Sequence, residues 1–294
     1  MGKIKRQDSV SRLKKSKMTQ FDRQYQEILR RIMNTGSDEY NERTGHRLKV
    51  LPGVNFELDY GYPLLTLRKI PITLFVAEMI WFITGSRNPD DFVNKFTNIW
   101  KDFTEKDGTV TAAYGYRWRH HFGRDQLGEL ITHLKENPGS RHAVVVTWDP
   151  GDDGLGESGT TKKNVPCPYT FTANIINNKL HIHNIVRSND MILGCPHDVA
   201  GFYLLLCILA GKLGVATGKL THSISNAHIY DIHYDTAWEL INRTNDHGPI
   251  YFTAQPDYFD RAEQGDETLV SEITGQFESR YAPMPALKGL KIVL

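Results

Sequence analysis

The sequence predicts an α+β fold, a large sheet with helices segregated around it, and three observations carry that expectation. KMTQFDRQYQEILRRIMNTG repeats its apolar residues at helical spacing. DVAGFYLLLCILAGKLG is almost entirely apolar, as a helix buried in a core is. SRHAVVVTWD, YTFTANIINN and KLHIHNIVRS are rich in β-branched residues, and the last two meet at Asn177 and Asn178, a hairpin-like turn.

In chain order, Phe21, Tyr25, Ile28, Leu29 and Ile32 form the buried face of the first helix and Gly36 stops it. SDEYNERTGH then reads as a turn-rich segment. RLKVLPGVNFELDYGYPLLTLRK alternates and carries Pro and Gly breaks, which predicts short strands. Helices dominate from about residue 72 to residue 134. PGDDGLGESGTTKK is a Gly- and Asp-rich loop of a length associated with function or mobility. KLTHSISNAHIYDIH returns to strand and enters another helix, and residues 247–294 read as short strands and loops. No internal repeat is visible.

With 294 residues and ordinary apolar and charged fractions, the chain is long enough for one large domain over residues 18–294. The net charge of +1 gives no polyelectrolyte signature for duplex nucleic acid. The first seventeen residues nevertheless hold seven Lys or Arg against Asp8 alone, and a mobile basic tail is expected there. ITLFVAEMIWFITG is shorter than the roughly 20 residues of a membrane span and carries Glu78. Cys167, Cys195 and Cys207 lack CxxC spacing or a His-rich partner segment, so neither a disulfide framework nor a zinc site is expected and a reducing cytoplasm fits.

Cys167 in NVPCPYTF, followed by VRSNDMILGCPHDVAGF, places a thiol ahead of Arg187, Asp190 and Asp198. Most cysteines without a partner cysteine are packing residues. The polar run raises the alternative of a nucleophile beside an anion site, whereas Cys195 and Cys207 are assigned to packing. Glu78, flanked by apolar neighbours, is either an exposed position on a half-buried helix or a buried acid with a raised pKa; spacing alone favours the first. Arg43 and Arg187 read equally as surface charges or as parts of a phosphate clamp. His228 and Tyr230, two apart on a strand, share a face and form a hydroxyl-binding pair or a satisfied core pair. His197 stays unassigned.

NERTG, FVAEMIWFITGSRN, NIWKDF, AAYGYRWRHH, ENPGSRHAVVVTWDP, VPCPYTF, VRSNDMILGCPHDVAGFYLLL, SNAHIYDIHYD and PMPALK occur in an order that resembles the thymidylate synthase family over nearly all of residues 18–294. The resemblance implies a homodimer with a large mixed sheet at the subunit interface, 5,10-methylenetetrahydrofolate as one-carbon donor and a pyrimidine monophosphate as acceptor. It implies that Cys167 is the nucleophile adding to C6 of the base. Arg43, Arg187 and Ser188 match phosphate ligands, and Arg141 matches an arginine donated by the second subunit. His228 and Tyr230 match ligands of the sugar 3′-hydroxyl. Glu78 matches the carboxylate that organises water and moves protons, Tyr114 a residue near the C5 proton, Trp100 a wall of the folate pocket and Asp190 a ligand of the pterin. Glu78 is therefore expected to be buried.

Asp198 stands where thymidylate synthases carry an Asn that reads uracil. A carboxyl group accepts from the cytosine amine and, when protonated, donates to N3, so Asp198 implies a cytidylate, dCMP. Together with RSND it resembles phage deoxycytidylate hydroxymethylases, which release tetrahydrofolate after water adds to the exocyclic methylene. Asn164, near the thiol, could hold that water. Further departures are His142 for a second arginine, Arg68 for a lysine, Pro168 after the nucleophile, Val186 for a glutamine, and KGLKIVL beyond the terminal motif. The rival readings are a dCMP or CMP methylase or hydroxymethylase, a thymidylate synthase acting on dUMP, and an RNA-binding regulatory protein on the same fold. Presence of both Cys167 and Glu78 speaks against the last.

Overall fold

The computed structural model describes residues 17–154 and 165–293, so the basic tail up to residue 16 and Asn164 lie outside the described residues. Helix α1 (Gln20–Thr35) begins where the Thr19 hydroxyl accepts from the Asp22 amide, and it buries the five apolar residues of its repeat together with Met33. Strand β1 (Ser37–Asn41) follows immediately, paired antiparallel with β2 (His46–Leu58). The turn-rich reading of SDEYNERTGH is thus corrected in its first half. Exposed polar residues suit an edge strand, and only 42–45 form the turn.

β2 is also one long strand rather than several short ones. Its partner holds it on both sides of Pro52 and Gly53, with Leu51 opposite Ala227 and Val54 opposite Ile224 in unchanged register. Helix α2 (Ile72–Thr84), the short turn α3 (Tyr114–Tyr116) and α4 (Gln126–Glu136) lie in the region expected to be helical, but residues 85–113 between α2 and α3 are loop with only three-residue 3-10 turns, a correction to that expectation. β3 (Val144–Val146), β4 (Pro168–Ile176) and β5 (Lys179–Val186) come next, and Asn177 and Asn178 turn the β4–β5 hairpin with φ of 51° and 57°. A two-residue β6 (Asn189–Asp190) leads into α5 (Gly194–Leu213), then β7 (Ala216–Tyr230) and α6 (Tyr234–Asn242).

Residues 247–293 contain α7 (Tyr258–Glu263) and α8 (Thr268–Glu278) in place of the short strands expected. Leu269, Val270, Ile273 and Phe277 bury one face of α8, which packs on α2. β-branched residues and Gly275 weaken local helix propensity there, and tertiary burial overrides it.

The strands form a mixed sheet in the order β1-β2-β7-β5-β4-β3, with β7 and β5 parallel and β6 added parallel to β7. Leu180, Ile182, Leu220 and Ile224 point into the core beneath α1 and α5. The opposite face carries polar groups at its middle, with Ser223 bonded to both His183 and Asn55 and Lys219 to Glu57, and exposed Val144, Val146 and Ile176 towards β3 and β4. α5 has the length and hydropathy to span a bilayer, yet it is 78% buried within the protein.

The ends of β5, β6 and β7, the start of β4 and the first turn of α5 converge at one place. α2 and α3 wall it, and their approach depends on Gly115. A Cβ there would stand 2.1 Å from the Phe82 carbonyl oxygen. Gly115→Ala should therefore destabilise the protein by about 3 kcal/mol or more, measured as a drop in the urea midpoint with the slope unchanged.

Candidate active site

The convergence encloses a cleft of about 800 Å3. Eleven of the twelve residues singled out from the sequence line it: Arg43, Glu78, Trp100, Tyr114, Cys167, Arg187, Ser188, Asp190, Asp198, His228 and Tyr230. Arg141 does not. It is exposed on the corner before β3, where Ser140 accepts from the His142 amide and bonds the His133 ring at 2.5 Å.

Cys167 immediately precedes β4, and both of its backbone polar groups are held. Its amide donates to the Tyr114 hydroxyl at 3.2 Å, and its carbonyl accepts from the Arg187 amide at 2.9 Å. The Arg187 guanidinium donates to the carbonyls of Pro166 and Val165 and places Nη2 3.7 Å from Sγ. Burial pushes the Cys167 thiol up, and the Arg187 charge opposes that push. A cation beside the sulfur favours the thiolate, and its remaining donor capacity suits an anion. Arg43, on the β1–β2 turn, brings a second cation to the cleft.

Glu78 is not exposed on a helix surface. It is half-buried at the cleft, where desolvation, with Asp198 adding like charge, raises its pKa to about 8; the Trp100 indole donates to it at 2.8 Å. Asp198, one helical turn into α5, is raised to about 7 by burial and then by Asp190, against the stabilising bond from Asn189. Asn189 Nδ2 donates to Asp198 Oδ2 at 2.7 Å. Asp190 accepts from the amides of Ile192 and Leu193, tightening the approach to α5. Two carboxyls that titrate near neutrality and one thiol share one cleft, which equips it for covalent addition and proton transfer.

His228 and Tyr230 lie on the same side of β7 with ring centroids 5.0 Å apart, and the Asn226 side chain is 3.1 Å from His228 Nδ1. Burial lowers the His228 pKa. Three contributors escaped the sequence reading. Asn189 was visible only as part of RSND, and its task of holding Asp198 depends on β6 pairing with β7. His197, left unassigned, lines the cleft as a neutral imidazole, its pKa lowered to about 3 by burial and by Arg68. Trp148 forms part of the wall, and nothing about a tryptophan at a strand end signalled that. Of the departures, Arg68 is buried at the cleft and donates to the Ile192 carbonyl, while Val186 is a core residue paired with Pro168. Ile292 and Val293 line the cleft from the far end of the chain.

A sequence model of the thymidylate synthase family matches residues 23–270, and the chain belongs to that family of one-carbon transferases. Among solved structures it is similar to the thermostable thymidylate synthase A from Bacillus subtilis, at 27% identity with a TM-score of 0.66. The match covers 76% of this chain and 85% of that one. The family uses methylenetetrahydrofolate, and its members are typically homodimers.

The raised pKa of Glu78 has a consequence for stability. Between about 4.5 and 8 the folded protein keeps a proton that the unfolded chain has lost, so this contribution is complete below 4.5 and disappears as pH rises through 8. Glu78→Gln should flatten the fall of unfolding free energy over that window. The change is a few kcal/mol at most, each pKa unit being worth about 1.4 kcal/mol, and urea titrations at pH 5 and pH 9 measure it.

Proposed function

We propose that this member of the family transfers a one-carbon unit from 5,10-methylenetetrahydrofolate to C5 of dCMP and releases 5-hydroxymethyl-dCMP. The observation that carries the base assignment is the Asn189–Asp198 contact together with a carboxyl poised near neutrality. Because Oδ2 accepts from Asn189, the proton of a neutral Asp198 belongs on Oδ1. Oδ1–H then donates to N3 of cytosine while Oδ2, which has a second lone pair, accepts from the exocyclic amine. Uracil presents the reverse pattern and leaves both oxygens facing the wrong partner. Gly194 leaves room for this pair, since a Cβ there would stand 3.2 Å from Asn189 Nδ2.

Around that base, Cys167 adds to C6, and the Asp198 proton at N3 stabilises the charge that builds on the ring. Arg187, Arg43 and Ser188 hold the phosphate. Arg141, exposed and outside its own cleft, serves the other copy in a homodimer, and the outer sheet face with Val144, Val146 and Ile176 exposed supplies the contact between copies. His228 and Tyr230 bind the sugar 3′-hydroxyl. Trp100, with Ile99 and Phe103, offers a flat apolar wall for the folate, and Asp190 meets its pterin. The folate supplies the one-carbon unit. Tyr114, whose hydroxyl also receives the Cys167 amide, stands where the C5 proton leaves, and Glu78 organises water and moves protons.

Hydration of the resulting methylene is supported by polarity: Asn189, Glu78 and the neutral His197 line the same cleft as the thiol and can hold water there. Incubation with dCMP and methylenetetrahydrofolate should give no dihydrofolate absorbance and a product heavier than dCMP by one hydroxymethyl substitution. Dihydrofolate in that assay would mean methylation instead, and CMP run in parallel tests the sugar. Asp198→Asn should move preference from dCMP towards dUMP by about 100-fold or more in kcat/KM. It should also remove the decline in kcat/KM for dCMP that begins as pH rises through about 7, where Asp198 loses its proton. Unchanged dCMP preference in this variant would defeat the base assignment.

A further inference from the structure

Arg117 does not line the cleft, yet its side chain is fully buried and faces three carboxylates: Asp153 at 3.3 Å, Asp152 at 3.6 Å and Asp149 at 3.8 Å. It lies on the turn that directly follows α3, three residues after Tyr114, and its amide donates to the Ala113 carbonyl at 3.0 Å. The three aspartates belong to the turn after β3, which folds tightly on itself. Asp153 Oδ2 accepts from the Asp149 amide and Asp149 Oδ1 from the Gly151 amide, both at 2.9 Å. His121 Nε2 lies 2.6 Å from the other Asp149 oxygen.

Gly154 belongs to this turn, and its φ of +79° and close contact suit only glycine. A Cβ there would stand 2.4 Å from Cζ2 of Trp148. Gly154 therefore lies against the Trp148 ring, and both residues line the cleft with Cys167. The Trp148 and Thr147 amides both donate to the Tyr169 carbonyl, two residues past the nucleophile.

We infer that Arg117 is a positioning residue for one-carbon transfer: by gathering Asp149, Asp152 and Asp153 it holds Gly154 against Trp148 and sets the aromatic wall beside the nucleophile. Asp153 is buried with the guanidinium, and removing Arg117 takes away the cation beside that carboxylate, so the pair fixes the turn in one arrangement. Displacing a cleft wall by about 1 Å is enough to cost about 100-fold in the alignment of two substrates. The inference rests only on the family's one-carbon chemistry, so it stands whichever pyrimidine is the acceptor.

A double-mutant cycle on the full-length protein tests it, run with whichever pyrimidine monophosphate turns over. Arg117→Gln should lower kcat/KM by about 10- to 100-fold, and Arg117→Lys should recover most of that loss. In a Trp148→Leu background the Arg117→Gln loss should shrink to within about twofold, because the wall it controls is gone. Gly154→Ala, which displaces the ring with Arg117 intact, should reproduce the loss. Equal fold-losses in the two backgrounds, wild-type kcat/KM in Arg117→Gln, or no recovery with Lys would overturn the inference. Should Arg117→Gln fail to fold, wild-type kcat/KM in Gly154→Ala would overturn it alone.

Discussion

α5 is buried along most of its twenty residues because it has apolar side chains on every face, and a helix of that kind needs neighbours all round. The inner sheet face meets it on one side and α2 on another. Its first turns open on the cleft through His197 and Asp198, while Cys195 and Pro196 beside them stay buried. The facing helix α2 buries nine apolar residues among its thirteen positions and presents Glu78 at the same boundary. The two acids are thus held where the core ends and the cleft begins. Desolvation there is what brings both towards neutrality, with Asp198 adding to the cost of ionising Glu78 and Asp190 adding to that of Asp198.

The chemistry at the sulfur depends on that boundary. Burial opposes a thiolate at Cys167, and Arg187 is the group that offsets it. The same guanidinium fixes the two carbonyls just before the cysteine, so loss of its side chain would alter both the charge and the geometry at the nucleophile. Electrostatics and chain path are set by one residue.

Much of this was legible in the sequence where a local pattern coincides with burial. The repeat of α1, the hairpin at Asn177 and Asn178, the buried α5 and the entry from β7 into α6 all follow from periodicity or turn chemistry. The same holds for the grouping of the cleft residues, which motif order carried and spacing alone did not. What escaped depended on partners remote in sequence. β1 is a strand because β2 lies beside it, and α8 is a helix because α2 covers its apolar face. Glu78 looked exposed from its neighbours along the chain, yet its environment is made by Trp100 and Asp198. Asn189 and Trp148 acquire their places only when β6 joins β7 and when the turn after β3 closes.

The three cysteines differ sharply in what surrounds them. Cys195 and Cys207 are sealed inside the core, with thiols pushed up by burial, that of Cys207 to about 12. Cys167 alone opens on the cleft and has a guanidinium beside it. A mild alkylating reagent therefore discriminates among them without any engineering, and one equivalent of label per folded chain becomes a direct titration of competent sites, readable by mass and suppressed by whatever nucleotide occupies the cleft.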